Sequence, residues 1–100
     1  MSLQQYVRVA SEGPARTWNL FPRKGAIQVG VDADLTIVDL QRSGIIEAAR
    51  MHGKNNHNPF EGHRTTGQAT ATIVRAQLAM RDGELVGAAR GRMVRPVRTD

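Results

Sequence analysis

Three histidines, His52, His57 and His63, fall in one short stretch with Glu61 beside the last of them, and imidazoles next to a carboxylate are donors for a divalent metal. Their spacing argues against that use. A chelating pair sits four residues apart on a helix or two apart on a strand, whereas these are five and six apart in a loop, with no further side chain placed to orient them. Asp32 and Asp34 form the other pair to weigh, because two carboxylates in unlike surroundings can divide acid and base roles. Alternation along an extended backbone is expected to send their side chains to opposite sides. Short acidic side chains in a turn also accept hydrogen bonds from backbone N–H groups one or two residues on, so capping the turn is the expected role.

No serine has the Gly-x-Ser-x-Gly setting of a nucleophile elbow, and the glycines do not compose a phosphate loop; Gly25 and Gly30 are expected to serve turns. The absence of cysteine excludes disulfides, thiolate metal sites and cysteine nucleophiles. No residue is therefore assigned a catalytic, cofactor-binding or metal-ligating role.

The net charge of +5 comes from twelve arginines against two lysines, with five arginines between Arg81 and Arg98. Arg90, Arg92, Arg95 and Arg98 in the tail could neutralise phosphates, so a small basic binding module for nucleic acid or an acidic partner is the alternative function. The tail intersperses its arginines with Gly, Ala, Val and Met and carries no aromatic residue, which favours a solvated face, and nucleic acid is not an expected partner. No apolar run approaches the ~20 residues of a membrane span. Met1–Gln5 lacks the basic then apolar order of a secretory signal, so a soluble, cytoplasmic chain without membrane contact is expected.

One hundred residues allow a single domain with a modest core, and four aromatics, Tyr6, Trp18, Phe21 and Phe60, leave few large side chains to fill it. Leu3, Tyr6, Val7 and Ala10 draw one apolar stripe along a first helix over 2–11, which Gly13 is expected to stop. Pro14 then opens a second short helix with Ala15 and Trp18 on its buried side, and Asn19 takes the left-handed cap. Ala26–Val29 reads as a short extended piece with Ile27 and Val29 on one side. The run Leu35–Leu40 is β-branched and apolar on both faces, which predicts a central strand covered on two sides. Ile45-Ile46-Glu47 reads as a short strand and Ala48–His52 as at most one helical turn. Lys54–Gly62 is a loop by composition, anchored to a core through Phe60. Ala69–Val74 and Gln77–Arg81 predict a hairpin around Arg75-Ala76, and Asp82-Gly83 a tight turn into Glu84-Leu85-Val86. The fold class is α+β: two short N-terminal helices over 1–22, a small β-sheet over 23–87 with its loop at 53–63, and a basic tail over 88–100.

Taken in order, the motifs resemble the C-terminal end of the cyclic amidohydrolases, the group of dihydroorotase, allantoinase and hydantoinase (dihydropyrimidinase). The match runs through Ser11-Glu12-Gly13-Pro14-Ala15-Arg16, Arg23-Lys24-Gly25-Ala26-Ile27 and Gly30-Val31-Asp32-Ala33-Asp34-Leu35 with Ile37, Val38 and Asp39. It continues through Asn58-Pro59-Phe60-Glu61-Gly62, Thr72-Ile73-Val74-Arg75 and Asp82-Gly83-Glu84-Leu85-Val86-Gly87. The resemblance implies a metal-dependent TIM barrel that carries the reaction elsewhere, with a divalent metal, zinc the expected one, and none in this chain. It also implies that the sheet is half of the β-sandwich flanking that barrel, a non-catalytic part that supports barrel and subunit packing. Half a sandwich leaves strands unpaired, so a homo-oligomer formed by pairing strands with a second copy is expected. Two positions depart from the pattern. Gly13 stands where asparagine is usual, which is expected to alter only a cap, and Ala76 where glycine is common, which is expected to loosen the hairpin turn or change its type.

Overall fold

A computed structural model describes residues 1–89 and 91–96. The chain opens with an unbroken helical arm. Ser2 caps α1 (Leu3–Val7): its hydroxyl accepts the Gln5 N–H at 3.2 Å, and the Gln5 side chain accepts the Ser2 N–H at 2.8 Å. The helix does not stop at Gly13. It widens into a π-helical turn over Arg8–Glu12 and continues as α2 (Gly13–Thr17). Pro14 has no N–H and its ring crowds the carbonyl four residues back, and a wider turn relieves that crowding without ending the helix. Gly13 donates to the Arg8 carbonyl at helical φ and ψ, and a Cβ there would lie 3.0 Å from that oxygen. Glycine at this position thus serves a helix interior rather than a cap.

Asn19 does close the arm at φ 59°, and Leu20 and Phe21 both donate to the Ala15 carbonyl, at 2.8 and 3.1 Å. The chain then turns back onto the helix. Gly25, at φ 84°, comes so near that a Cβ would stand 2.7 Å from the Ala15 Cβ and 3.0 Å from the Ser11 carbonyl oxygen. Ala15 is buried as expected, whereas Trp18 is 69% exposed, because none of the described residues covers that side of the arm. The stripe of Leu3, Tyr6 and Val7 is likewise open to solvent.

Ala26–Val29 is not a strand. Among the described residues no strand lies beside it to supply ladder hydrogen bonds, and Ile27 and Val29 both stand in solvent. The sheet begins with β1 (Leu35–Ile45), followed by β2 (Arg64–Val74), β3 (Gln77–Arg81) and β4 (Glu84–Leu85), an antiparallel meander in the order β1-β2-β3-β4. β1 is therefore an edge strand, not a central one. Ile37, Val38 and Leu40 are each about half exposed, because the described residues form no second layer over the sheet. Ile45 ends β1, so Ile46 and Glu47 fall outside it, and Ala48–Arg50 forms a single 3₁₀ turn.

The β2–β3 turn is tight, with Arg75 at φ 48° and Ala76 at φ 66°, and Val74 pairs with Gln77 across it. Two left-handed residues in a two-residue loop are the type I′ arrangement that matches strand twist. The alanine therefore keeps the turn that glycine would make, neither looser nor of another kind. Asp82-Gly83 turns the same way, at φ 49° and 84°, and sets Arg81 opposite Glu84. The fold is α+β, and among the described residues the buried apolar side chains are Ala15 and Ala48.

Candidate functional site

The densest group of charges joins the helical arm to the sheet. Lys24 follows the arm directly, its N–H bonded to the Leu20 carbonyl at 2.9 Å, and its ammonium reaches both Asp34 and Asp32, the latter at 2.9 Å. Arg23 Nε donates to the same Asp32 oxygen at 2.8 Å, while the Asp32 N–H returns a bond to the Arg23 carbonyl. Residues two apart on an extended chain share a face, so the two carboxylates converge on one ammonium instead of parting. Neither caps its own turn. Asp34 Oδ1 accepts the N–H of Arg75 at 2.8 Å, and the Ala33 carbonyl accepts that of Ala76 at 2.9 Å, so the Asp32–Asp34 segment holds the far hairpin turn by its backbone.

The electrostatics fix what this group can do. The hydrogen bond to Lys24 leads in holding Asp34 below the ordinary carboxylate range, and bonds from Lys24 and then Arg23 do the same for Asp32. The Asp34 carboxylate in turn raises Lys24. All three groups are thereby locked in their charged forms around neutral pH. Acid–base catalysis needs a group poised near the working pH, so this cluster is a clamp and not a proton relay.

The second organised feature is the loop Asn58–His63. Asn58 Oδ1 accepts the Phe60 N–H at 2.9 Å, closing a turn over Pro59. Gly62, at φ 82°, donates to the Ile46 carbonyl, and Ile46 donates to the His63 carbonyl. Glu61 Oε2 accepts the Ala48 N–H at 2.7 Å and so caps the 3₁₀ turn. Phe60 does not enter a core. It is 57% exposed and meets the edge of His63 at 5.8 Å between ring centroids.

His52, His57 and His63 are all exposed, and among the described residues no three His, Asp or Glu side chains are grouped to hold a metal ion. Of the tail arginines, Arg92 and Arg95 are exposed in irregular backbone, while Arg90 and Arg98 lie outside the described residues. Among the described residues no helix is long and apolar enough to cross a membrane. Sequence reasoning missed the reach of Lys24 and the grip of Asp34 on Arg75. The available signal was a basic pair, Arg23-Lys24, placed ahead of Asp32-Ala33-Asp34 across an apolar segment.

Comparison with known proteins assigns the class. Residues 1–93 match the model of the amidohydrolase family, and the chain belongs to that family. Within it, the chain is 39% identical over 87 residues to the D-hydantoinase of Geobacillus stearothermophilus, covering 87% of this chain and 18% of that protein. It is 43% identical over 86 residues to the dihydroorotase of Methanothermobacter thermautotrophicus, covering 86% and 20%. Among solved structures, the D-hydantoinase (dihydropyrimidinase) from a Thermus species superposes with a TM-score of 0.82 at 41% identity, over 87% of this chain and 19% of that one. The L-hydantoinase from Arthrobacter aurescens gives 0.83 at 36% identity, with the same coverage. The chain thus spans about a fifth of the length of the relatives it matches. The family is metal-dependent in general, and the described residues do not fit a metal's ligand set.

Proposed function

We propose that these hundred residues are the C-terminal, non-catalytic part of a metal-dependent hydrolase that opens the C–N bond of a cyclic amide, of hydantoinase, dihydroorotase or allantoinase type. In that protein they brace the catalytic body and its subunit packing, and the metal, zinc in this reading, is held by residues of that body.

One observation carries the bracing role. A compact folded chain of this mass exposes about 5,600 Å², yet this one exposes 8624 Å², leaving a surplus of roughly 3,000 Å². Its radius of gyration is 15.6 Å against about 13 Å for a globular chain of this length. Much of the exposed surface is apolar and continuous with the elements just described: Leu3, Tyr6, Val7, Val9 and Trp18 along the arm, and Ile37, Val38 and Leu40 on β1. A standard interface covers only ~800 Å² per partner, so the surplus calls for a much larger neighbour.

Two measurements test this. The chain alone, supplied with zinc and hydantoin, dihydroorotate or allantoin, is expected to show no turnover above background. A chimaera of the Geobacillus D-hydantoinase in which the 87 matched residues are replaced by those of this chain is expected to retain both metal and hydantoin hydrolysis. Turnover by the chain alone overturns the reading, as does a folded, metal-loaded chimaera that is inactive.

A further inference from the structure

Asp82-Gly83 belongs neither to the Lys24 clamp nor to the bracing surface, and it carries a chemistry of its own. Gly83 has no side chain to shield its nitrogen, so that nitrogen can attack the Asp82 carboxyl carbon within the same dipeptide. A Cγ–N bond forms, a carboxyl oxygen leaves as water with the Gly83 proton, and a succinimide ring closes. Water then opens the ring. Opening at the Asp82 main-chain carbonyl leaves the backbone running through Cβ, an isoaspartate of unchanged mass that adds a methylene to the chain. Asp32, Asp34 and Asp39 precede Ala33, Leu35 and Leu40, whose side chains crowd the same attack.

The structure shows what restrains this reaction. The Asp82 N–H donates to the Thr70 carbonyl on β2 at 2.8 Å, the Gly83 N–H to Met80 Sδ at 3.3 Å, and Arg42 Nη1 on β1 to Asp82 Oδ1 at 2.9 Å. Ring closure uses the Gly83 nitrogen and the Asp82 carboxyl, so it must break the last two bonds. Neither is a strong hold: thioether sulfur is a weak acceptor, and the ion pair joins side chains 44% and 59% exposed. Beyond the turn β4 is only Glu84–Leu85, so few ladder bonds resist its opening. We propose that Asp82 is a site of spontaneous isoaspartate formation and that Arg42 is its brake. The added methylene does not fit a tight turn that sets Arg81 opposite Glu84, so the product frees β4 and parts the Val86 N–H from the Ala79 carbonyl. The reaction is internal to the dipeptide and needs only water, so the proposal does not rest on the hydrolase reading.

The full chain, held for weeks in warm neutral buffer and then digested and labelled with an isoaspartate methyltransferase, is expected to accumulate label at Asp82 and not at Asp32, Asp34 or Asp39. Arg42→Gln, which removes the cation, is expected to speed that labelling by about two- to fivefold, the weight of one exposed ion pair. Arg42→Lys, which keeps the cation, is expected to stay near the original rate. In urea all three chains are expected to label faster, at one common rate. In the modified fraction the Val86 amide is expected to exchange faster, while the Ile46 amide, held by the His63 carbonyl, does not change. Labelling at Asp82 no faster than at Asp39 overturns the proposal. So does an Arg42→Gln rate equal to that of the unmodified chain or of Arg42→Lys, or an unmodified chain that labels as fast in buffer as in urea.

Discussion

Lys24, Asp32 and Asp34 act as a unit, and their protonation sets when that unit holds. Asp34 lies below its ordinary value near 3.8, so the stability it gives is present above that value and is lost as pH falls through its folded pKa. Lys24 lies above its ordinary value near 10.5, so its share is present below that value and is lost as pH rises through its folded pKa. Urea midpoints measured across pH are therefore expected to be flat from about 5 to 9, falling on both sides, with the acid limb reduced in Asp34→Ala. At neutral pH that variant is expected to lose about 1–2 kcal/mol, since it removes a charge-assisted bond and unpairs the Arg75 N–H in a partly exposed site. Two backbone positions make opposite predictions. Gly25→Ala drives a methyl into Ala15 at a positive φ and is expected to cost about 2–4 kcal/mol. Ala76→Gly relieves an alanine at φ 66° and is expected to gain up to about 1 kcal/mol.

Among the elements, those set by local chemistry were legible and those set by neighbours were not. The Arg75-Ala76 and Asp82-Gly83 turns, the left-handed Asn19 and the single turn after Glu47 follow from residues adjacent in sequence, and the structure has them all. The helix running through Gly13 could not be read from glycine's poor helix propensity, because its cause is the widened turn that accommodates Pro14. Leu35–Leu40 was legible as a strand but not as an edge, because an apolar run of this kind reports that something covers it and not what does. The same limit applies to the candidate site. Glu61 beside His63 suggests a ligand by composition, and only the three-dimensional return of the loop to Ala48 shows that it is a cap. Glu61→Ala is expected to speed amide exchange at Ala48 by roughly tenfold, the equivalent of about one hydrogen bond, while leaving unchanged the exchange at Val86, whose N–H is held by the Ala79 carbonyl.

At the scale of the whole molecule, the ledger of surface decides more than any single contact. Among the described residues two alanines are buried while a belt of Leu, Ile, Val, Tyr and Trp is half-exposed or more, so large apolar side chains are still to be covered. The arm and the faces of the sheet carry that surface.

The arm and the sheet do not pack against each other directly, and what couples them runs through Lys24, Asp34 and the backbone of Arg75. Heat or denaturant should therefore take this protein apart in two stages. The N-terminal helices would melt while the meander persists, and a protease added between the stages would find its first cut near Gln28, where no backbone hydrogen bond to another described residue holds the connecting thread.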